Sequence, residues 1–129
     1  MTNALTTQED GNHYKVMKMQ PIELTYRLNG TPCFCKLAKY LTRDKGDKLT
    51  NLRKAKHCIQ LEQELLKLGF GEEYVFNYYS AQYANAQIEQ FTKVPLYQTA
   101  LKEMYNGFTE NAIAAVEQCI RLAEDGESL

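Results

Sequence analysis

Between Leu96 and Glu124 the apolar side chains recur every three or four residues: Leu101, Met104, Phe108, Ala112, Val116 and Cys119 form one stripe, widened by Tyr105, Ile113 and Ile120. That interval is the period of an α-helix and cannot be laid along one face of a strand. Strand-like alternation is weak elsewhere too, so the chain is expected to be all-α. Leu61, Leu65 and Leu68 repeat the helical spacing, with Gly69 as a stop, and Pro21 is placed to open a helix that closes near Asn29-Gly30. The expected architecture is four to five helices: a basic helical hairpin, an aromatic-rich helix and a long C-terminal helix. Unbroken, that last helix would run about 45 Å, more than the width of a domain of this size. It is therefore expected to pack against a second subunit and make the chain a homo-oligomer, with Gly107 as its weak point.

The 129 residues suffice for one domain with a modest core. Residues 1–12, MTNALTTQEDGN, lack periodicity and also lack the basic start and apolar core of a signal peptide, which predicts a flexible lead and a cytoplasmic protein. A single helical domain is expected over residues 13–125, followed by a frayed acidic tail at 126–129. No apolar run is long enough to span a bilayer, so no membrane partner is expected. Cys33, Cys35, Cys58 and Cys119 lack CxxC spacing and are expected to be free thiols rather than a metal site.

The formal net charge of −1 hides a strong asymmetry. Lys36, Lys39, Arg43, Lys45, Lys48, Arg53, Lys54 and Lys56 face only Asp44 and Asp47 within their stretch, whereas acids dominate from Glu62 onward. In a helix Lys36, Lys39, Tyr40 and Arg43 share one face, opposite Leu37, Ala38 and Leu41. A second helix starting near Asp47 puts Arg53, Lys56 and His57 together, with Asp44-Lys45-Gly46-Asp47 as the turn. Two basic faces would then meet in a cleft, and cationic forks around an aromatic ring suit a phosphorylated planar ligand such as a nucleotide. The alternative is a solvated helix face with no ligand. His13 and Lys15 either close one side of the cleft or lie on the surface.

After this hairpin, Phe70, Tyr74, Phe76, Tyr78, Tyr79, Tyr83 and Phe91 crowd one segment, with Glu72 and Glu73 in its expected first helical turn. These rings suit either base stacking or a core or oligomer interface. The sequence contains no GxxxxGK[ST] phosphate loop, GxGxxG, HExxH or GxSxG, and only two histidines. Phosphoryl transfer depends mainly on positioning and charge stabilisation, so a basic cleft is compatible with it. Glu23, Asp44 and Asp47 are the acids available to orient a hydroxyl, and no catalytic residue is assigned. A compact patch on a chain of pI about 6.1 argues against tracking along nucleic acid.

His13-Tyr14-Lys15, Pro21-Ile22-Glu23-Leu24, Lys39-Tyr40-Leu41-Thr42-Arg43 and Leu52-Arg53-Lys54-Ala55-Lys56-His57, in that order, resemble the pattern of a small bacteriophage domain family of unknown function. That family includes the P-loop-less nucleotide kinase of a T-odd coliphage. The resemblance covers residues 13–60 and departs from the pattern at Cys35-Lys36, where the family has Gly-Asn, and at Asn51, where it has Asp. It implies a nucleotide site at His13, Lys15, Lys39, Tyr40, Arg43, Lys54 and His57, to which Lys36, Arg53 and Lys56 add positive field. It also implies nucleoside monophosphate kinase activity with ATP as phosphate donor. The alternatives are a non-catalytic protein that sequesters a host immune nucleotide, and an inhibitor that docks on a host protein or nucleic acid.

Overall fold

The structure is a computed structural model that describes residues 19–74 and 79–129. Six helices are present among them: α1 (Pro21–Leu28), α2 (Pro32–Thr42), α3 (Lys48–Lys67), α4 (Ala81–Phe91), α5 (Pro95–Tyr105) and α6 (Thr109–Glu124). No strand occurs among the described residues. The all-α expectation holds, with six helices in place of four to five. None of them is long and apolar enough to cross a membrane.

The helix starts follow local chemistry. Pro21, Pro32 and Pro95 each occupy a first helical turn, where the missing N–H removes nothing. Thr31 Oγ1 accepts the Phe34 N–H at 3.0 Å, Asp47 Oδ2 accepts the Thr50 N–H at 2.9 Å, and Ser80 Oγ accepts the Tyr83 N–H at 3.2 Å. The two hydrogen bonds from Thr50 hold the Asp47 carboxyl below its ordinary range. Asn29 ends α1 in the left-handed region at φ 56°. Gly30 follows because a Cβ there would stand 2.8 Å from Phe34 Cδ1, closer than side chains allow.

The chief correction concerns the C-terminus. The expected 30-residue helix is a hairpin, because Gly107 adopts φ 85° and the Phe108 N–H turns back to the Glu103 carbonyl at 2.9 Å. This is a helix-terminating geometry that glycine takes without penalty. At about 1.5 Å per residue, α5 and α6 are roughly 16 and 24 Å long, and both fit within the domain. Ala112, Val116 and Cys119 are buried within this chain, so helix length no longer argues for a second subunit. Gly107→Ala is expected to destabilise the protein by about 1–2 kcal/mol, the penalty of a left-handed Cβ, measurable by urea denaturation.

Two helical hairpins make the core. α2 packs on α3, α5 packs on α6, and the pairs join where α3 lies along α6 and α2 meets α5; α1 and α4 pack on each other and close the remaining side. Leu24, Leu28, Leu37, Leu41, Leu52, Ile59, Ile88, Leu101, Met104 and Val116 form one continuous buried cluster. Leu61 and Leu65 pack partly against it, but Leu68 lies beyond the end of α3 and is 70% exposed. Glu72 and Glu73 sit in a turn rather than a first helical turn, and α4 begins at Ala81. Nor is the acidic tail wholly frayed: Glu127 N–H bonds the Leu122 carbonyl at 2.8 Å, and Leu129 packs back on the core.

Candidate functional site

The α2–α3 hairpin is the one read from the sequence, and it sorts the basic residues into two groups. On α2, Leu37, Ala38 and Leu41 are buried, which leaves Lys36, Lys39, Tyr40 and Arg43 on the outer side. On α3, Leu52, Ala55, Cys58 and Ile59 are buried, and Lys54 emerges beside the same surface. Tyr40 joins the two helices. Its half-buried ring packs on the core, with Lys39 Nζ 5.1 Å and Lys54 Nζ 5.7 Å from the ring centroid. Each ammonium lies within cation–π range of the ring.

Cys58 lies beneath this surface. Burial pushes its thiol up, while Lys36 and Lys39 pull it the other way, so their positive field reaches into the hairpin. Among the described residues no acid lies within ion-pair distance of Lys36, Lys39, Arg43 or Lys54. His57, three residues after Lys54 on α3, is exposed.

Arg53 and Lys56 belong to the other flank. Arg53 meets Glu124 at 3.5 Å and Lys56 meets Glu117 at 2.9 Å. Both acids lie on α6 and are spaced two turns apart. Lys48 turns toward α5, where Nζ donates to the Tyr97 hydroxyl at 3.3 Å. Among the described residues the expected common cleft is therefore a single face built around Tyr40, and Arg53 and Lys56 of the second basic face are neutralised. His13 and Lys15 lie outside the described residues.

The available carboxylates divide as well. Glu23 pairs with Arg27 within α1, and Asp47 is held by Thr50 as the cap of α3. Asn51 is buried and donates to the Lys45 carbonyl at 3.0 Å, which ties the interhelical loop to the first turn of α3. Cys33, Cys58 and Cys119 are buried and Cys35 is half-buried. Burial pushes the Cys33 and Cys119 thiols up to about 11, far from the range of a reactive thiolate.

The aromatic residues are dispersed rather than gathered at the basic face. Phe91 is buried, Phe70 is exposed, and the Tyr79 and Tyr83 rings lie 5.0 Å apart on the surface; Phe76 and Tyr78 fall outside the described residues.

One functional candidate escaped sequence reasoning, namely Glu62. It follows Ala55 and Ile59 at helical spacing, so it falls on the buried stripe of α3, and an acid at such a position was the available signal. Burial pushes its carboxyl above the ordinary range, partly offset by the hydroxyl of Thr31. The groups around it are Cys33 on α2, Tyr105 on α5, and Glu73 and Tyr74 in the turn after α3. A raised folded-state value means that the carboxyl's stability contribution is complete below about 4.5, its ordinary value, and is lost as pH rises through the raised one. Glu62→Gln is expected to gain stability relative to the parent protein as pH rises through that window. Parallel denaturation series from pH 4 to 8 would reveal it, and a constant difference between the two would contradict it.

No family model, curated protein or solved structure matches the chain. Function is accordingly argued from the site itself.

Proposed function

We propose that this chain is a phage-encoded nucleotide-binding protein that grips phosphate on the outer face of the α2–α3 hairpin. The observation that carries the reading is Tyr40, with two lysine ammonium groups against its ring and no described acid paired to them. Cations held at one surface without a described acid partner favour an anion, and guanidinium and ammonium donors form their stronger hydrogen bonds to phosphate oxygens. Lys39, Arg43 and Lys54 contact phosphate, Tyr40 contacts base or ribose, and Lys36 adds field. Arg53 and Lys56 act less directly, since α6 already supplies their counter-charges. In the catalytic version the protein is a nucleoside monophosphate kinase that takes phosphate from ATP.

A specific observation favours the second reading, sequestration of a nucleotide signal without turnover. Of the three acids available to orient a hydroxyl, Glu23 and Asp47 are engaged in structural bonds. Incubation with ATP, nucleoside monophosphates and cyclic nucleotides, then filtration and chromatography of filtrate and heat-released retentate, separates the two. A nucleotide recovered intact from the retentate is expected for sequestration, and new diphosphates in the filtrate for a kinase. Neither product would overturn the nucleotide reading.

A further inference from the structure

Glu62 is the acid that α3 turns inward, and it is only 4% exposed. Its Oε1 accepts a hydrogen bond from Thr31 Oγ1. Thr31 Oγ1 also accepts the Phe34 N–H, so the hydroxyl proton of Thr31 is committed to Glu62. Oε2 has no hydrogen-bond partner among the described residues. Native proteins seldom leave such an atom unmatched, because a buried unmatched polar group costs about 1–3 kcal/mol and a charged one more.

The same carboxyl lines a cavity of about 170 Å³ with Pro32, Leu65, Leu66, Phe70 and Tyr74. Exposed Glu73 lines it too, and no lysine, arginine or histidine is among its described lining residues. Two acids with no base among the described lining residues favour a cation. The aliphatic and aromatic walls suit a hydrocarbon body, and a cation near Phe70 or Tyr74 gains from their ring faces.

We propose that this cavity binds a small primary amine, with its apolar body against Leu65, Leu66, Phe70 and Tyr74 and its ammonium donating to Glu62 Oε2, an oxygen with less than 1 Å² accessible that a small displacement of the lining side chains uncovers. The ammonium supplies the missing donor and a charge that favours the ionised carboxylate, opposing the effect of burial. A neutral alcohol of the same shape supplies a donor without the charge, and a carboxylic acid meets repulsion from Glu62 and Glu73. The cavity adjoins the N-terminus of α2, whereas Tyr40 and Arg43 lie near its C-terminus, roughly 15 Å along the helix. The two sites are therefore separable by mutation.

The test is calorimetric titration of the full chain with 2-phenylethylamine, isoamylamine, 2-phenylethanol and phenylacetate at pH 7.5, with amide NMR shifts as a second readout. The amines are expected to bind at least tenfold more tightly than the alcohol, phenylacetate not to bind, and shifts to centre on Thr31–Cys33, Glu62–Leu66 and Phe70–Tyr74. Glu62→Gln should weaken amine binding at least tenfold. If that variant fails to fold, Leu66→Trp provides the check, because Leu66 lines the cavity, is 37% exposed and leaves the Glu62 side chain unmutated. Blocked binding in Leu66→Trp supports the proposal. Equal affinity for amine and alcohol, unchanged binding in either folded variant, or no binding by any probe would overturn it. The last outcome would assign Oε2 to a water in the adjoining cavity of about 10 Å³, which Glu62 also lines.

Discussion

Replacing Lys39 and Arg43 together with alanine is expected to weaken nucleotide binding by at least about one hundredfold and to leave the fold intact. Each contributes a charge-assisted contact of about 1.5 kcal/mol or more, and about 3 kcal/mol corresponds to slightly more than two decades of affinity. Neither side chain belongs to the core, and neither has an acid partner among the described residues, so their removal strands no buried charge. Lys93→Ala is the matched control. It removes one exposed cation just past the end of α4 that donates to the Glu89 carbonyl, and a change below about twofold is expected. Equilibrium dialysis against the nucleotide retained in the filtration experiment, beside thermal melts of each variant, measures both effects. Full affinity in the double variant would place the ligand elsewhere.

Truncating Leu37 to alanine is expected to destabilise the protein by about 3 kcal/mol, within the range for leucine side chains in close-packed cores. Leu37 is 0% exposed and sits on the inner face of α2 between Phe34 and Leu41. The hairpin has few neighbours free to collapse into the gap, because α3 and α5 both press on α2. A shift of that size should lower the thermal midpoint by roughly 10 °C for a chain of this length. A loss below about 1 kcal/mol in urea denaturation would mean that the hairpin interior is looser than described. The variant also tests the site, since the spacing of Lys39 and Lys54 around Tyr40 depends on how tightly α2 and α3 are held together.

Much of the hairpin was legible because its signals are local. Asp47 marks the start of α3, and the 3.6-residue period separates Leu37 and Leu41 from Lys36, Lys39 and Arg43. Tyr40 as the centre of the basic face was also readable from spacing. The pairing of Arg53 and Lys56 was not, because Glu124 and Glu117 lie some sixty to seventy residues onward and only the docking of α6 on α3 brings them near. Gly107 shows a different failure. An apolar stripe continues through it at undisturbed spacing, so periodicity predicts one helix, while a single positive φ folds the stripe back on itself. Glu62 shows a third, since a carboxyl on a buried stripe reads as an imperfection of the pattern until the surroundings of its Oε2 are known.

The neutralised flank of α3 has a kinetic consequence. Because α6 supplies counter-charges to Arg53 and Lys56, the cations of the hairpin that lack an acid partner among the described residues gather around Tyr40, on a molecule whose net charge is close to zero. Viewed from several nanometres the protein attracts an anion hardly at all. On the proposed reading, the local field within about a Debye length, roughly 8 Å in physiological salt, turns an approaching anion toward Tyr40. Added salt should therefore slow capture more than it hastens escape, and the residence time of a bound nucleotide should depend mainly on contacts made after arrival.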